Sequence, residues 1–139
     1  MRREKGQAVP RQVLASFGLA LAWLGCGGGA GEAEAAGTGS ICPPGSTLTY
    51  ETFGQSFMTS YCTDCHATKL RGVKRQGAPS DHDLDTLDGV RQTEAGHIDE
   101  NAAAGPERVN VAMPPSDYAR QPTEAERWQL GEWLACGMP

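Results

Sequence analysis

Aromatic and basic side chains are both scarce in this chain of 139 residues. Phe, Trp and Tyr contribute three residues each while Gly contributes 18, so protein side chains alone supply only a thin core. We therefore expect disulfides, a metal ion or a bulky cofactor to supplement that core. Twelve Lys and Arg against 17 Asp and Glu give a net charge of −5, a balance that argues against a nucleic-acid-binding module. The length is that of one ordinary domain.

Runs of β-branched residues alternating with polar ones are also missing, so the sequence predicts an all-α fold. The best-marked helix starts at a T-x-x-E capping box, Thr123 to Glu126, and stops at Gly137. The expected elements are helices over 50–61, 84–102 (broken at Gly96) and 124–136, separated by irregular segments at 67–82 and 106–122.

The apolar run near the N-terminus is too short to span a membrane, which takes about 20 residues. Basic residues precede it, and it occupies 13 positions, 13–25, directly before Cys26. This arrangement predicts a secretory signal peptide over residues 1–25. Because the segment ending in Cys26 resembles a bacterial lipobox, we expect Cys26 to be lipidated and to become the mature N-terminus. Trp23 departs from the Leu usual at its position, and a plain cleaved signal is the alternative.

Residues 26–41 are rich in Gly, Ala and Glu without periodicity, which predicts a flexible tether ahead of a domain at 42–139. Cleavage before Cys26 leaves eight basic and 16 acidic residues, a net charge of −8. We expect an exported protein on the periplasmic side of a bacterial membrane, held there by its lipid anchor. Because that compartment is oxidising, cysteines without another role are expected to pair.

Residues 62–66 read Cys-Thr-Asp-Cys-His, which is the C-x-x-C-H spacing of covalent c-type haem attachment. Two thiols three positions apart each reach one vinyl group of the porphyrin, and the next imidazole points at the iron from the same side. A redox-active C-x-x-C needs a βαβ context, a zinc site needs a second ligand pair, and a disulfide within C-x-x-C is strained. The sequence therefore predicts one haem c held by Cys62, Cys65 and His66.

The chain resembles class I cytochromes c over most of residues 50–136. Those proteins carry a Gly eight residues before the first haem-linked Cys, where the terminal helices cross, and Gly54 stands there. The residue four before that Cys is often aromatic in the family but is Met58 here, which we expect to pack in the core. The L-x-x-[aromatic]-L pattern of their final helix is matched by Leu130, Trp133 and Leu134. The resemblance implies a cytochrome c-like bundle of about three main helices around a covalently bound haem.

A Met-Pro pair, Met113-Pro114, lies in the segment from which this family supplies the second axial ligand of the iron. We therefore expect the iron to be ligated by His66 and Met113. A thioether is a soft ligand that favours ferrous iron, so this pair raises the reduction potential. His97 and His82 are the alternative sixth ligands.

Two cysteines are left once the haem pair and the lipidated Cys26 are set aside, namely Cys42 and Cys136. We expect a disulfide between them that ties the start of the domain to the end of the last helix. It would close a loop of about 95 residues, a size for which the chain-entropy model gives large stabilisation. Two free thiols, or pairing with another molecule, are the alternatives.

Half of the mature chain's basic residues fall within seven positions directly after the haem motif: Lys69, Arg71, Lys74 and Arg75. In an otherwise acidic molecule this cluster predicts a docking patch for an acidic redox protein. The alternative is a solvated loop in which some of these residues meet the haem propionates.

These features together predict a periplasmic one-electron carrier whose haem iron cycles between the ferric and ferrous states. With both axial positions filled, no site remains for a substrate, so we expect an electron-transfer protein and not an enzyme. One alternative is a haem-based sensor or binding domain for a small gas, which requires a weak or absent sixth ligand. The other is a haem subunit within a larger periplasmic oxidoreductase.

Overall fold

The computed structural model describes residues 37–139; the predicted signal peptide, Cys26 and most of the predicted tether lie outside this range. The described chain forms four α-helices, with no strand beyond one isolated bridge between Ala104 and Val109. The all-α prediction is therefore confirmed for this range. None of the helices within residues 37–139 has the length and apolar character to cross a membrane.

Helix α1 (Gln55–Tyr61) continues from a π-helical turn over Tyr50–Gly54, so the helix expected over 50–61 is present. Thr49 caps the turn, because its side chain accepts from the Thr52 backbone N–H while the Thr52 hydroxyl caps the Thr49 N–H in return. Phe57 and Met58 face inward at 4% and 1% exposure, as expected for Met58. The C-x-x-C-H segment follows directly after the last residue of this apolar helix.

The expected middle helix is two short helices, α2 (Leu87–Gln92) and α3 (Ala95–Ala102), so residues 37–139 contain four α-helices where three were expected. The predicted break at Gly96 is wrong, since Gly96 lies within α3. The chain turns instead at Glu94, whose φ of +64° lies in the left-handed region. Thr93 is the last residue before this turn, and its N–H is shared between the carbonyls of Gly89 and Val90, at 3.1 and 3.2 Å, which tightens the end of α2. Its hydroxyl also donates to the Gly89 carbonyl, at 3.0 Å.

Helix α4 (Glu124–Ala135) begins at the predicted capping box between Thr123 and Glu126. Trp133 on its inner face is fully buried and packs against the π-helical turn before α1, at Gly54, which has no side chain. A Cβ on Gly54 would lie 2.5 Å from Cζ2 of Trp133, so only glycine permits this approach. The other core residues come mainly from α2, α3, α4 and the C-terminus and include Val90, Ile98, Ala102, Leu130, Leu134 and Met138.

The start of the described chain is fixed to the domain, which corrects the expected boundary at residue 42. Thr38 is fully buried, and its N–H and hydroxyl both donate to the Asp99 carboxylate at 2.7 Å. The Ser40 hydroxyl donates to the Ala104 carbonyl at 3.2 Å. Residues 38–40 are therefore part of the folded unit, and any flexible tether ends before them. The predicted disulfide between Cys42 and Cys136 is present and joins positions 94 residues apart.

Candidate functional site

The C-x-x-C-H segment forms a tight turn directly after α1. The N–H groups of Cys65 and His66 both bond to the Cys62 carbonyl, at 3.1 and 2.9 Å, so the three predicted haem-binding side chains emerge from a single turn. Cys62 and Cys65 are half-buried, and both carry free thiols. Burial raises the pKa of Cys62 to about 12, partly opposed by the positive charge of Arg127, so this thiol is neutral at ordinary pH.

His66 is held in one tautomer by the main chain. Its Nδ1 lies 3.1 Å from the His82 carbonyl oxygen, which accepts the Nδ1 proton and leaves the Nε2 lone pair free. Burial lowers the pKa of His66, and the hydrogen bond to His82 opposes this only in part. A neutral imidazole with its second nitrogen bonded to a carbonyl is the form in which histidine ligates a metal.

A cavity of about 440 Å³ opens beside this turn. Its walls contain every haem-site residue predicted in the folded range: Cys62, Cys65, His66 and Met113. Apolar side chains and prolines supply much of the remaining lining, among them Leu84, Ile98, Ala102, Pro79, Pro114 and Pro115. The sequence thus separates Met113 from His66 by 47 positions, and the fold brings both to one cavity.

Met113 belongs to the irregular segment over residues 106–122, hereafter the Met113 loop. Its N–H donates to the Asn101 carbonyl at 2.8 Å, which ties the loop to α3. Its carbonyl accepts from Arg127 of α4, also at 2.8 Å. The side chain is 40% exposed, in contrast with Met58 and Met138 in the core. Of these three methionines, only Met113 lines the cavity.

The two alternative ligands, His82 and His97, also line the cavity. Their rings lie 4.8 Å apart, centroid to centroid, and the His82 ring is stacked 6.4 Å from that of His66. All three histidines of the chain therefore meet along one wall. Among residues 37–139, no three His, Cys, Asp or Glu side chains are arranged to hold a metal ion by themselves.

A polar link that the sequence did not predict joins the C-x-x-C-H turn to the Met113 loop. The hydroxyl of Tyr118 donates to Asp64 Oδ2 at 2.6 Å, and Arg120 Nη2 donates to the same oxygen at 3.1 Å. Arg120 also donates to the Tyr118 hydroxyl at 3.0 Å. These hydrogen bonds hold the pKa of Asp64 below its usual value, chiefly through Tyr118. We refer to Asp64, Tyr118 and Arg120 as the latch.

Arg75 corrects the predicted basic patch. It is only 4% exposed, and its guanidinium forms an ion pair of 2.7 Å with Asp83. The same group donates to the carbonyls of Ala67, Ala78, Pro79 and His82. Arg75 thus organises the loop behind His66 and is not available to a partner. Lys69, Arg71 and Lys74 remain exposed.

Arg127 is the second buried arginine of the described residues. Its burial could have been inferred from the sequence only through its position along α4. It precedes Leu130, Gly131 and Leu134 at spacings of three, four and seven, which places it on the buried face of the helix. Buried charge on such a face is unusual and marks a residue with a specific partner set.

This donor set is compatible with one covalently attached haem. Two free thiols three positions apart, a neutral imidazole with an available nitrogen, and a thioether all line one largely apolar cavity.

A scan against protein-family models finds no match, and neither a search of curated proteins nor a search of solved structures finds one.

Proposed function

We propose that this chain is a mono-haem c-type cytochrome that carries single electrons on the periplasmic side of a bacterial membrane. The observation that carries the proposal is the convergence of Cys62, Cys65, His66 and Met113 on one cavity. The first three are adjacent in sequence, but Met113 reaches the cavity only through the fold. If the C-x-x-C-H motif were present by chance, the fold would not be expected to place a methionine in the same cavity.

Each residue has a distinct part in holding the group. Cys62 and Cys65 would attach the porphyrin through thioethers, and His66 would offer its free Nε2 to the iron. Met113 would supply a soft thioether as the second ligand. When bound, the haem supplies an iron that exchanges one electron between the ferric and ferrous states. The protein's part is to fix the two axial ligands and to keep the surroundings apolar, and this helical domain is then a cytochrome c-like bundle.

Saturation of the iron favours electron transfer over catalysis. With an imidazole and a thioether as ligands, no coordination position is left open for a substrate or a gas. The Met113 backbone is hydrogen-bonded at its N–H and at its carbonyl, to Asn101 and Arg127, so the loop that carries the sixth ligand is fixed at two points. A fixed ligand keeps the geometry similar in the two oxidation states, which lowers the cost of electron exchange.

The location and partners follow from the sequence and from the exposed charges. The signal peptide over 1–25 and lipidation at Cys26 would place the domain on a membrane surface. Lys69, Arg71 and Lys74 form the exposed patch to which an acidic redox protein would dock, with Arg75 excluded by its burial. Exchange of these three residues for Gln should slow electron transfer at low salt and flatten its salt dependence.

Covalent attachment is the first test of this function. The full chain is exported in a host that attaches haem c, and the intact mass and absorption spectrum are recorded. We expect the mass of one haem in the wild type and its loss in the double variant Cys62→Ala/Cys65→Ala. The matched control Cys42→Ala/Cys136→Ala removes the other cysteine pair of the folded range and should retain the haem.

Two results would argue against the proposal. A wild-type chain that folds without covalent haem would remove it altogether. A haem protein that binds carbon monoxide rapidly at neutral pH would have a weak or absent sixth ligand, and small-gas binding would then replace electron transfer.

A further inference from the structure

Arg127 is a buried cation on α4. Its side chain is 3% exposed, and no Asp or Glu among the described residues lies within ion-pair distance of it. Burial lowers its pKa, as expected for a charge removed from water. An isolated buried charge is costly, so the contacts that retain it need an explanation.

Main-chain carbonyls around Met113 accept from Nη1 of the guanidinium, and Nη2 lies 3.5 Å from Gln121 Oε1. Its Nη1 donates to the carbonyls of Ala102, Asn110 and Met113, at 2.6, 3.0 and 2.8 Å. Ala102 is the last residue of α3. Asn110 and Met113 both belong to the Met113 loop, and Met113 lines the cavity. The Arg127 carbonyl in turn accepts from the Ala104 N–H at 2.9 Å. One residue of α4 therefore fixes the end of α3 and the Met113 backbone together.

We propose that Arg127 is the positioning residue for the Met113 ligand, and that its buried charge favours the ferrous state of the iron. This inference rests on the proposed function. The ferric state carries one more positive charge than the ferrous state, so a buried cation nearby disfavours it. Arg127 Nη1 lies 2.8 Å from the carbonyl oxygen of Met113, whose side chain lines the cavity, so the charge is held beside the proposed iron site.

Arginine is required here for its shape as well as its charge. A guanidinium is planar and offers several N–H donors in a fixed fork, whereas a lysine ammonium is a compact point charge on a flexible stem. Lys at position 127 would keep the charge, but its one nitrogen stands on a shorter stem and cannot take the places of both Nη1 and Nη2, so the contacts to Gln121 and to the three carbonyls would not all be kept. The two parts of the proposal can therefore be separated by substitution.

The experiment compares Arg127→Lys, Arg127→Met and a control, Arg108→Met, in the full exported chain. Arg108 is an exposed arginine of the Met113 loop, so its substitution removes a charge without touching the buried contacts. Covalent haem content is read from the intact mass. The far-red band of ferric iron bonded to methionine sulfur reports ligation by Met113, and a redox titration gives the ferric-to-ferrous ratio at a fixed potential.

We expect Arg127→Met to lose most of the far-red band and to raise the ferric-to-ferrous ratio by about tenfold, equivalent to about 59 mV for one electron. Arg127→Lys should weaken the band with a smaller change in the ratio, and Arg108→Met should change neither. A drop in melting temperature with an unchanged band and ratio would overturn the inference. If Arg127→Met does not fold, an unchanged band in Arg127→Lys would overturn it.

The wild type separates failure of this inference from failure of the proposed function. If the wild type has covalent haem and the far-red band, and the Arg127 variants keep the same band and the same ferric-to-ferrous ratio, the inference alone is rejected. A wild type with covalent haem but no far-red band rejects ligation by Met113 and this inference with it. A wild type without haem rejects the proposed function itself.

Discussion

Tyr118 donates a hydrogen bond of 2.6 Å to Asp64, and the two residues belong to different segments of the cavity wall. Asp64 stands between the two cysteines of the C-x-x-C-H turn, while Tyr118 follows Met113 by five positions in its loop. The bond therefore connects the two segments that carry the proposed iron ligands. Its partners are 54 positions apart, so the latch exists only when the domain is folded.

Removal of the Tyr118 hydroxyl tests the latch directly. We expect Tyr118→Phe to raise the pKa of Asp64 toward its ordinary value, because the hydrogen bond from Tyr118 is the largest cause of its depression. The free energy of unfolding should fall by less than about 1 kcal/mol, since the site is open to solvent. NMR titration of the Asp64 carboxyl measures the first effect. Tyr50→Phe, which removes a hydroxyl outside the latch, should leave the Asp64 pKa unchanged.

The depressed pKa of Asp64 also predicts a stability change in acid. A carboxyl group with a lower pKa in the folded state stabilises the fold above its unfolded pKa, near 3.8. That contribution is lost as the pH falls through the lower, folded pKa. Denaturant unfolding of the wild type and Asp64→Asn from pH 6 to pH 2 should show a difference that shrinks below about pH 4. A difference that is constant across this range would contradict the latch.

The helix crossing at Gly54 predicts a costly substitution. Gly54→Ala places a methyl group 2.5 Å from the Trp133 ring, so the helices must separate or the ring must move. We expect a loss of about 1–3 kcal/mol in the free energy of unfolding. Gly96→Ala is the matched control, because a Cβ there meets nothing within 4 Å and alanine favours the helix. Similar melting temperatures for the two variants would contradict the close crossing.

The Cys42–Cys136 disulfide should contribute stability without affecting haem attachment. It joins residues 94 positions apart, and opening so long a loop enlarges the unfolded ensemble. We expect Cys42→Ser/Cys136→Ser to lose about 2–5 kcal/mol in unfolding free energy while its haem spectrum is unchanged. A double variant as stable as the wild type, in a preparation whose wild type contains the bridge, would show that the disulfide is dispensable.

Features set by neighbouring residues could be predicted from the sequence. The capping box at Thr123 and Glu126 is local, and the structure contains it as expected. The end of α2 was not predictable, because Glu favours helices and residues with a side chain rarely adopt the left-handed φ that the exposed Glu94 has. Gly96 looked like the weak point of the helix, yet a glycine inside a helix costs only about 1 kcal/mol.

Several polar contacts that form only in the folded chain were also missed by sequence reasoning. Thr38 sits in a Gly-rich segment typical of a tether, but Asp99, 61 positions away, fixes it in the domain. Arg75 looked like one charge in an exposed cluster, but carbonyl groups of the following loop and Asp83 bury it. A buried cation is stabilised by acceptors that the main chain supplies, and main-chain acceptors leave no trace in the sequence.

Ligation of the iron by Met113 is the central claim, and the ferric absorption spectrum tests it most directly. We expect wild-type protein with covalent haem to show the weak far-red band of iron bonded to methionine sulfur. Met113→Ala should lose the band while retaining the haem. Met58→Leu, a change of similar volume in the core, should keep both. A far-red band that persists in Met113→Ala, or is missing from the haem-loaded wild type, would contradict the account.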